Sequence, residues 1–236
     1  MKFYRTFTPY KVISFDLDDT LYDNSQVILN AEQNCLDFLN KISGINELTE
    51  TCWQQWKQRT ARQIPRLSED VTAWRTKTIQ TILKAYGKPA EEIEHIAAAS
   101  MRHFLIWRHK IDVPVQSIRI LNRLKTRYKL TALTNGNVDP VRIGLSQFDL
   151  ILTGGKQGRA KPHSDLFHQT AEHFAVDPGE ILHVGDNLIT DVQGAVQAGC
   201  QAVWLNASGK ALCHFDEVKT LPTVEINDLS ELLNLA

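Results

Sequence analysis

A short apolar run, Val12-Ile13-Ser14-Phe15, breaks off into Asp16-Leu17-Asp18-Asp19-Thr20. The run reads as a strand, so three carboxylates crowd at its C-terminal tip. Carboxylates a few ångströms apart repel one another, and one pKa must rise. Two readings fit this stretch by itself. In the first, a cation or a proton-transfer role relieves the crowding. In the second, the stretch is an acidic turn in which Asp19 or Thr20 caps the next helix.

The chain around it has two textures. From about Ser25 to Lys110 the pattern is helical. Ile28, Ala31, Cys35, Phe38, Leu39 and Ile42 fall at helical spacing and stop before Gly44. Trp53, Trp56 and Ala61 indicate a second helix ending near Pro65. Val71, Trp74, Thr78, Ile82 and Ala85 indicate a third, stopped by Gly87, and Ile93, Ile96, Ala97, Met101, Phe104 and Trp107 a fourth. Beyond Pro114 the pattern alternates. Strands are predicted over 11–15, 130–133, 150–152, 181–184, 202–205 and 223–226. Helices are predicted over 116–127, 165–174, 191–198 and from Leu229 onward. Such alternation predicts an α/β fold, a Rossmann-like parallel sheet with helices on both faces. The helical block is then a four-helix insertion after the first strand. The predicted boundaries are 1–21 and 114–236 for the α/β core and 22–113 for the insertion.

In a parallel sheet, ligands bind beyond the carboxyl ends of the strands. After the first strand come Asp16, Asp18 and Asp19. After the second come Thr134-Asn135-Gly136-Asn137, and after the third Thr153-Gly154-Gly155 and then Gly158-Arg159-Ala160-Lys161-Pro162. The fourth leads into Gly185-Asp186-Asn187 and later Asp191. Each tip also has a structural alternative. Thr134-Asn135-Gly136 suits a turn, Lys161-Pro162 a solvated lysine ahead of a helix, and Asp186 and Asp191 helix caps. Taken together, acids, a hydroxyl–amide pair and a lysine on one sheet edge match the needs of phosphoryl transfer.

In this order, Asp16-x-Asp18-x-Thr20, Thr134, Lys161-Pro162 and Gly185-Asp186-x-x-x-x-Asp191 resemble the four motifs of the haloacid-dehalogenase-like hydrolases. The helical block resembles that family's type 1 cap. The resemblance implies a phosphatase in which Asp16 is the nucleophile, Asp18 the acid and base, and Lys161 the catalytic cation. It implies Mg²⁺ held by Asp16, the backbone carbonyl of Asp18, and Asp186. Thr134, the Asn135 amide and Lys161 would hold phosphate, and Asp191 would orient Lys161 or a water. Asp19 would be a structural cap. Within the family, residues 2–5, 16–24, 70–75, 107–114 and 158–162 resemble bacterial phosphatases acting on flavin mononucleotide and on the phosphorylated ribitylaminouracil precursor of riboflavin. For such a planar substrate, Trp74 could stack and Arg75 could pair with a carbonyl or phosphate, with Tyr22 and Asn24 nearby. Trp53, Trp56, Trp74 and Trp107 put four of the five tryptophans in the helical block, where ordinary helix packing accounts for most of them.

Composition narrows the field further. With 236 residues, 43% hydrophobic, the chain can bury a large core. A net charge of −1 offers no global bias toward nucleic acid or an anionic membrane. Cys35, Cys52, Cys200 and Cys213 contain no CxxC, which argues against a zinc site or a disulfide framework. Residues 1–12 do not read as a secretory signal, and nothing approaches the roughly 20 apolar residues of a membrane span. Asn206-Ala207-Ser208 is read as a chance glycosylation sequon. The expectation is a cytoplasmic enzyme whose partner is a small phosphorylated metabolite, working as a monomer or weak homodimer without nucleic acid or membrane. Neither GxxxxGK[ST] nor GxGxxG occurs, which disfavours nucleotide kinases and dinucleotide enzymes. The rivals are a phosphatase or mutase for another sugar or nucleotide phosphate, a metal-free haloacid dehalogenase, and a non-catalytic phosphate-binding protein.

Overall fold

A computed structural model describes residues 1–215 and 218–236. The chain divides into two compact units, Met1–Asp23, Asp112–Gly136 and Gly144–Ala236 forming one, and Asn24–Ile111 with Asn137–Ile143 the other.

The second unit holds four helices: α1 Ser25–Ser43, α2 Glu50–Gln63, α3 Val71–Ala85 and α4 Ala90–Arg108. Their ends follow from local chemistry. Gly44 closes α1 at φ 71°, a conformation that a side chain disfavours. The Thr49 hydroxyl accepts from the Cys52 amide at the start of α2. The Asp70 carboxylate accepts from the amides of Thr72 and Ala73 at the start of α3. The apolar stripes meet in a core of Ala31, Cys35, Leu39, Trp53, Ile79, Ile82, Leu83, Ile96 and Phe104. Residues 137–143, which follow a strand of the other unit, also belong here. The Asn137 amide group donates to Thr72 Oγ1 at 3.3 Å, and the Asp139 N–H donates to His109 Nε2 at 3.0 Å. Two polar contacts leave no periodicity in sequence, so this part of the division could not be read from the pattern.

The first unit is built on a seven-stranded sheet: β1 Lys2–Phe3, β2 Val12–Phe15, β3 Lys129–Thr134, β4 Leu150–Thr153, β5 Ile181–Gly185, β6 Gln201–Leu205 and β7 Val224–Ile226. Its order is β1-β7-β6-β5-β2-β3-β4. All neighbours are parallel except β1, which runs antiparallel along β7. β2, β5 and β6 are buried at every residue. Burial on both faces explains why their sequences show apolar runs rather than alternation. Helices α5 Val115–Lys125, α6 Asp165–Phe174 and α7 Gly194–Gln197 accompany the sheet. Leu166 and Phe167 of α6 and Ala195 of α7 join Ile181, Val192, Ala202 and Trp204 in one core. Helix α5 buries Ile120, Leu121 and Leu124 and packs on β3 and on the 3₁₀ segment Leu229–Asn234.

Three elements depart from the sequence pattern. A two-residue strand such as β1 is too short for any period to register. The C-terminal helix is a 3₁₀ segment, Leu229–Asn234. The predicted helix over 191–198 is a π turn, Leu188–Gln193, followed by α7. In that turn the Asn187 carbonyl accepts from both Asp191 and Val192, and its side chain accepts from Ile189 and Thr190. Asn206 is buried, and its amide group donates to Lys210 O and Glu225 Oε1. Among the described residues no helix is long and apolar enough to cross a membrane.

Candidate active site

Asp16 is the first residue past β2. Its N–H donates to Val184 O at 2.9 Å, extending the β2–β5 ladder by one step. The chain then turns tightly: Thr20 and Leu21 donate to Leu17 O, Asp19 donates to Tyr22 O, and Asp19 takes φ 58°. The expectation that Asp19 or Thr20 caps a helix is corrected here. Helix α1 starts at Ser25, with Asn24 in the cap position. The Thr20 hydroxyl instead donates to Asp186 Oδ1 at 3.2 Å, and the Tyr22 hydroxyl donates to Asp18 Oδ1 at 2.9 Å.

Lys161 reaches the site from the loop after β4, and Asn135 fixes its main chain. The Asn135 Nδ2 donates to Lys161 O at 2.8 Å, and the Lys161 N–H returns to Asn135 Oδ1 at 2.9 Å. Gly154 permits this approach, since a Cβ there would stand 2.7 Å from Ala160 Cα and 2.8 Å from Asn135 Oδ1. Thr134, at the end of β3, is buried and accepts the Gly136 N–H at 2.9 Å.

The Lys161 ammonium, 1% exposed, bridges Asp16 Oδ1 at 2.8 Å and Asp191 Oδ1 at 2.6 Å. Asp191 lies close against the end of β5. A Cβ on Gly185 would stand 2.3 Å from Asp191 Cγ, so glycine is required there. Asp191 Oδ2 accepts the Asn187 N–H at 3.0 Å, and Oδ1 also faces His183 Nε2 at 3.3 Å. The loop carrying Asp186 is held from β6, where the Trp204 indole N–H donates to Asp186 O at 2.8 Å.

Carboxylate oxygens of Asp16, Asp186 and Asp191 all lie within 4.8 Å of one another. Three carboxylates are gathered here and Lys161 pairs with two of them, Asp16 and Asp191, and the electrostatics follow. Burial pushes the Asp16 carboxyl up to about 8; Asp191 and Asp18 add to the rise and Lys161 opposes it. Burial, then Asp191, raises Asp186 to about 6. Burial also works against a charge on Asp191, but Lys161 and His183 outweigh it and hold that carboxyl well below the usual range. The Lys161 ammonium likewise overcomes burial through Asp16 and Asp191 and is raised. The donor set is all oxygen and over-rich in negative charge, which fits a hard divalent cation.

Asp16, Lys161, Asp186 and Asp191 are thus brought together, with Asp18, Thr134 and Asn135 on the same strand tips. Trp74 and Arg75 belong to the helical unit and are engaged inside it. The Arg75 guanidinium is buried, pairs with Glu32 Oε1 at 2.6 Å and lies 3.7 Å from the Phe104 ring centre. Glu32 and the Phe104 ring thus engage the Arg75 guanidinium inside the unit. The Trp74 indole donates to Lys57 O at 2.9 Å. Sequence reasoning missed Ser14, His183 and Trp204. The available signal for the first two was polarity at matching positions of two buried apolar strands, where Ser14 pairs in register with His183.

Residues 10–199 match the family model described as haloacid dehalogenase-like hydrolase. The chain is 40% identical over 237 residues to the 5-amino-6-(5-phospho-D-ribitylamino)uracil phosphatase YigB of Escherichia coli (strain K12), covering all of both chains. A solved structure described as a 2-haloacid dehalogenase from Pseudomonas syringae superposes with a TM-score of 0.88 at 30% identity, covering 96% of this chain and 97% of that one. A phosphatase structure from Thermococcus onnurineus superposes with a TM-score of 0.65 at 26% identity, covering 95% and 97%.

Proposed function

The chain belongs to the haloacid dehalogenase-like hydrolases and is a phosphatase of that family, and on that premise we propose that it hydrolyses small phosphomonoesters through an aspartyl-phosphate on Asp16. The observation that carries this reading is the trio Asp16, Asp186 and Asp191, with the Lys161 ammonium bridging Asp16 and Asp191. Asp16 attacks phosphorus while Asp18 gives a proton to the departing ester oxygen. In the second step Asp18 takes a proton from water, the water attacks the same phosphorus, and the bond to Asp16 breaks. Lys161 balances charge on the transferring phosphoryl group, and the Thr134 hydroxyl and Asn135 amide hold its oxygens. Asp16, the Asp18 carbonyl and Asp186 would hold Mg²⁺, which when bound neutralises part of the charge between carboxylate and phosphate. The contacts of Asp191 with Lys161, His183 and the Asn187 amide occupy both of its oxygens, so its role is to hold Lys161.

For the substrate we favour 5-amino-6-(5-phospho-D-ribitylamino)uracil and flavin mononucleotide. The support is the full-length likeness to YigB and the aromatic Trp74 in the helical unit. The name of the Pseudomonas structure favours a second reading, a haloacid dehalogenase using the same aspartate. A dehalogenase nucleophile needs no divalent cation, and the surplus of carboxylates beside Asp16 argues against it. Phosphate and halide release should be measured over a panel of phosphate esters, including these two, and 2-haloacids, with and without chelator. Chelator-sensitive phosphate release is expected, fastest for the two favoured esters. Halide release that ignores the chelator would overturn the proposal.

A further inference from the structure

Beside the strand tips lies a buried histidine that the mechanism leaves unused. His183 lies in the middle of β5, 0% exposed, and bonds on both ring nitrogens. Nδ1 stands 2.9 Å from Ser14 Oγ on the neighbouring strand β2, and Nε2 stands 3.3 Å from Asp191 Oδ1. Phe167 closes the ring edge-on, with centroids 5.0 Å apart and planes at 88°.

The partners fix the tautomer. An ionised Asp191 can only accept, so Nε2 carries the hydrogen. Burial holds the imidazole below its ordinary pKa, which keeps the ring neutral and leaves Nδ1 to accept from the Ser14 hydroxyl. A continuous chain results: Ser14 O–H to His183 Nδ1, Nε2–H to Asp191 Oδ1, and Lys161 Nζ on that same oxygen and on Asp16. Asp191 Oδ2 is pinned separately by the Asn187 N–H.

We propose that His183, oriented by Ser14, is a positioning residue that sets the rotation of the Asp191 carboxylate and, through it, the place of the Lys161 ammonium beside Asp16. A freely rotating carboxylate could draw Lys161 away from the nucleophile, and a misplacement of about 1 Å at a reacting centre can cost about a hundredfold in rate. Without His183 the anchor at the Asn187 N–H remains, so the expected loss is smaller, about tenfold.

This inference rests on the phosphatase reading only for its kinetic arm. In that arm His183→Phe, which keeps volume and the ring packing on Phe167, should lower kcat on an aryl phosphate about tenfold with little change in KM. His183→Gln, which keeps an N–H donor, should recover most of the loss. In a Lys161→Met background, His183→Phe should cost nothing more. An equal loss in both backgrounds would mean that His183 only supports the fold, and would overturn the proposal. Two readouts need no turnover. Nitrogen NMR of the His183 ring at pH 7.5 should show hydrogen on Nε2 and none on Nδ1; the opposite tautomer overturns the chain of bonds. A crystal structure of His183→Phe should show Lys161 Nζ displaced from Asp191 Oδ1, and an unmoved lysine overturns the positioning role. Wild-type protein that releases no phosphate while passing both would sink the phosphatase reading and leave the positioning role of His183 standing.

Discussion

Both units bury charge, and they treat it in opposite ways. In the helical unit Glu32 sits between Arg75 at 2.6 Å and Lys57 at 3.1 Å. Burial works against its carboxylate, but the two cations hold its pKa below the ordinary value. The surplus positive charge rests on aromatic faces, Arg75 over Phe104 and Lys57 over Trp74. At the strand tips three carboxylates gather beside one ammonium, which pairs with Asp16 and Asp191, and Asp16 and Asp186 are driven upward in pKa. The first cluster pairs its charges within the unit, tying residues of different helices together. The second carries a surplus of carboxylates, which on the proposed reading a divalent cation would offset, and such an imbalance is what a functional site shows.

The sharpest way to break this contrast is at the nucleophile. Asp16→Asn keeps the shape and removes the attacking carboxylate, so kcat should fall at least about a thousandfold while the fold survives. Phosphate release together with thermal melting checks both halves, and retained turnover would return Asp16 to a structural role. Next in size is Gly185→Ala. Its methyl would stand 2.3 Å from Asp191 Cγ, so Asp191 must move and take Lys161 with it. A loss of about a hundredfold in kcat is expected, on the scale of a misplacement of about 1 Å.

The helical cluster gives the opposite result under the same treatment. Arg75→Met should lower stability by about 2 kcal/mol, because it removes a buried partner of Glu32 that Lys57 only partly replaces. KM and kcat on a small aryl phosphate should barely change. Urea unfolding beside kinetics separates the outcomes, and a raised KM at unchanged stability would make Arg75 a recognition group after all.

How far the sequence could be read follows the same divide. Strand tips were legible because a buried parallel strand is an uninterrupted apolar run, and the residue after it is fixed in space by the ladder. Asp16, Thr134 and Asp186 were all found this way. Ser14 and His183 were passed over because they sit inside those runs, where a polar residue shows its meaning only when a partner strand is in register. The pairing of Arg75 was not legible because a helical pattern reports which face a residue occupies but not whether a carboxylate 43 positions away pairs with it. The π turn was unreadable because Asn187, by folding its carbonyl and side chain onto four later amides, sets a geometry that has no sequence period.

The imbalance at the strand tips should also register as pH-dependent stability. Asp16 and Asp186 have native pKa values raised to about 8 and about 6, above those of the unfolded chain. In the absence of metal these two carboxyls therefore contribute stability that falls as pH rises, most plainly from pH 7 to 8, above the range in which His183 and His109, both lowered in pKa, act in the opposite direction. Mg²⁺ competes with those protons, so adding it should raise the melting temperature by more at pH 8 than at pH 5. Melting curves at the two pH values, with Mg²⁺ and with chelator, test this. A Mg²⁺ increment that is equal at both would mean the carboxylates are not where the cation binds.

The smallest expected effect separates two roles of one side chain. The Trp74 indole donates to Lys57 O, and its ring carries the Lys57 ammonium at 5.0 Å. Trp74→Phe keeps an aromatic face and loses the N–H, so the cost should be about 1 kcal/mol, the worth of one such bond. If Trp74 also stacks on a flavin or pyrimidine, Trp74→Phe should leave KM for flavin mononucleotide within about twofold, because a phenyl face still stacks. Trp74→Ala should then raise that KM several-fold while leaving KM for a small phosphate ester alone. Equal shifts for both esters would confine Trp74 to the packing of the helical unit, and the strand tips would then be the part of the molecule whose residues answer to substrate.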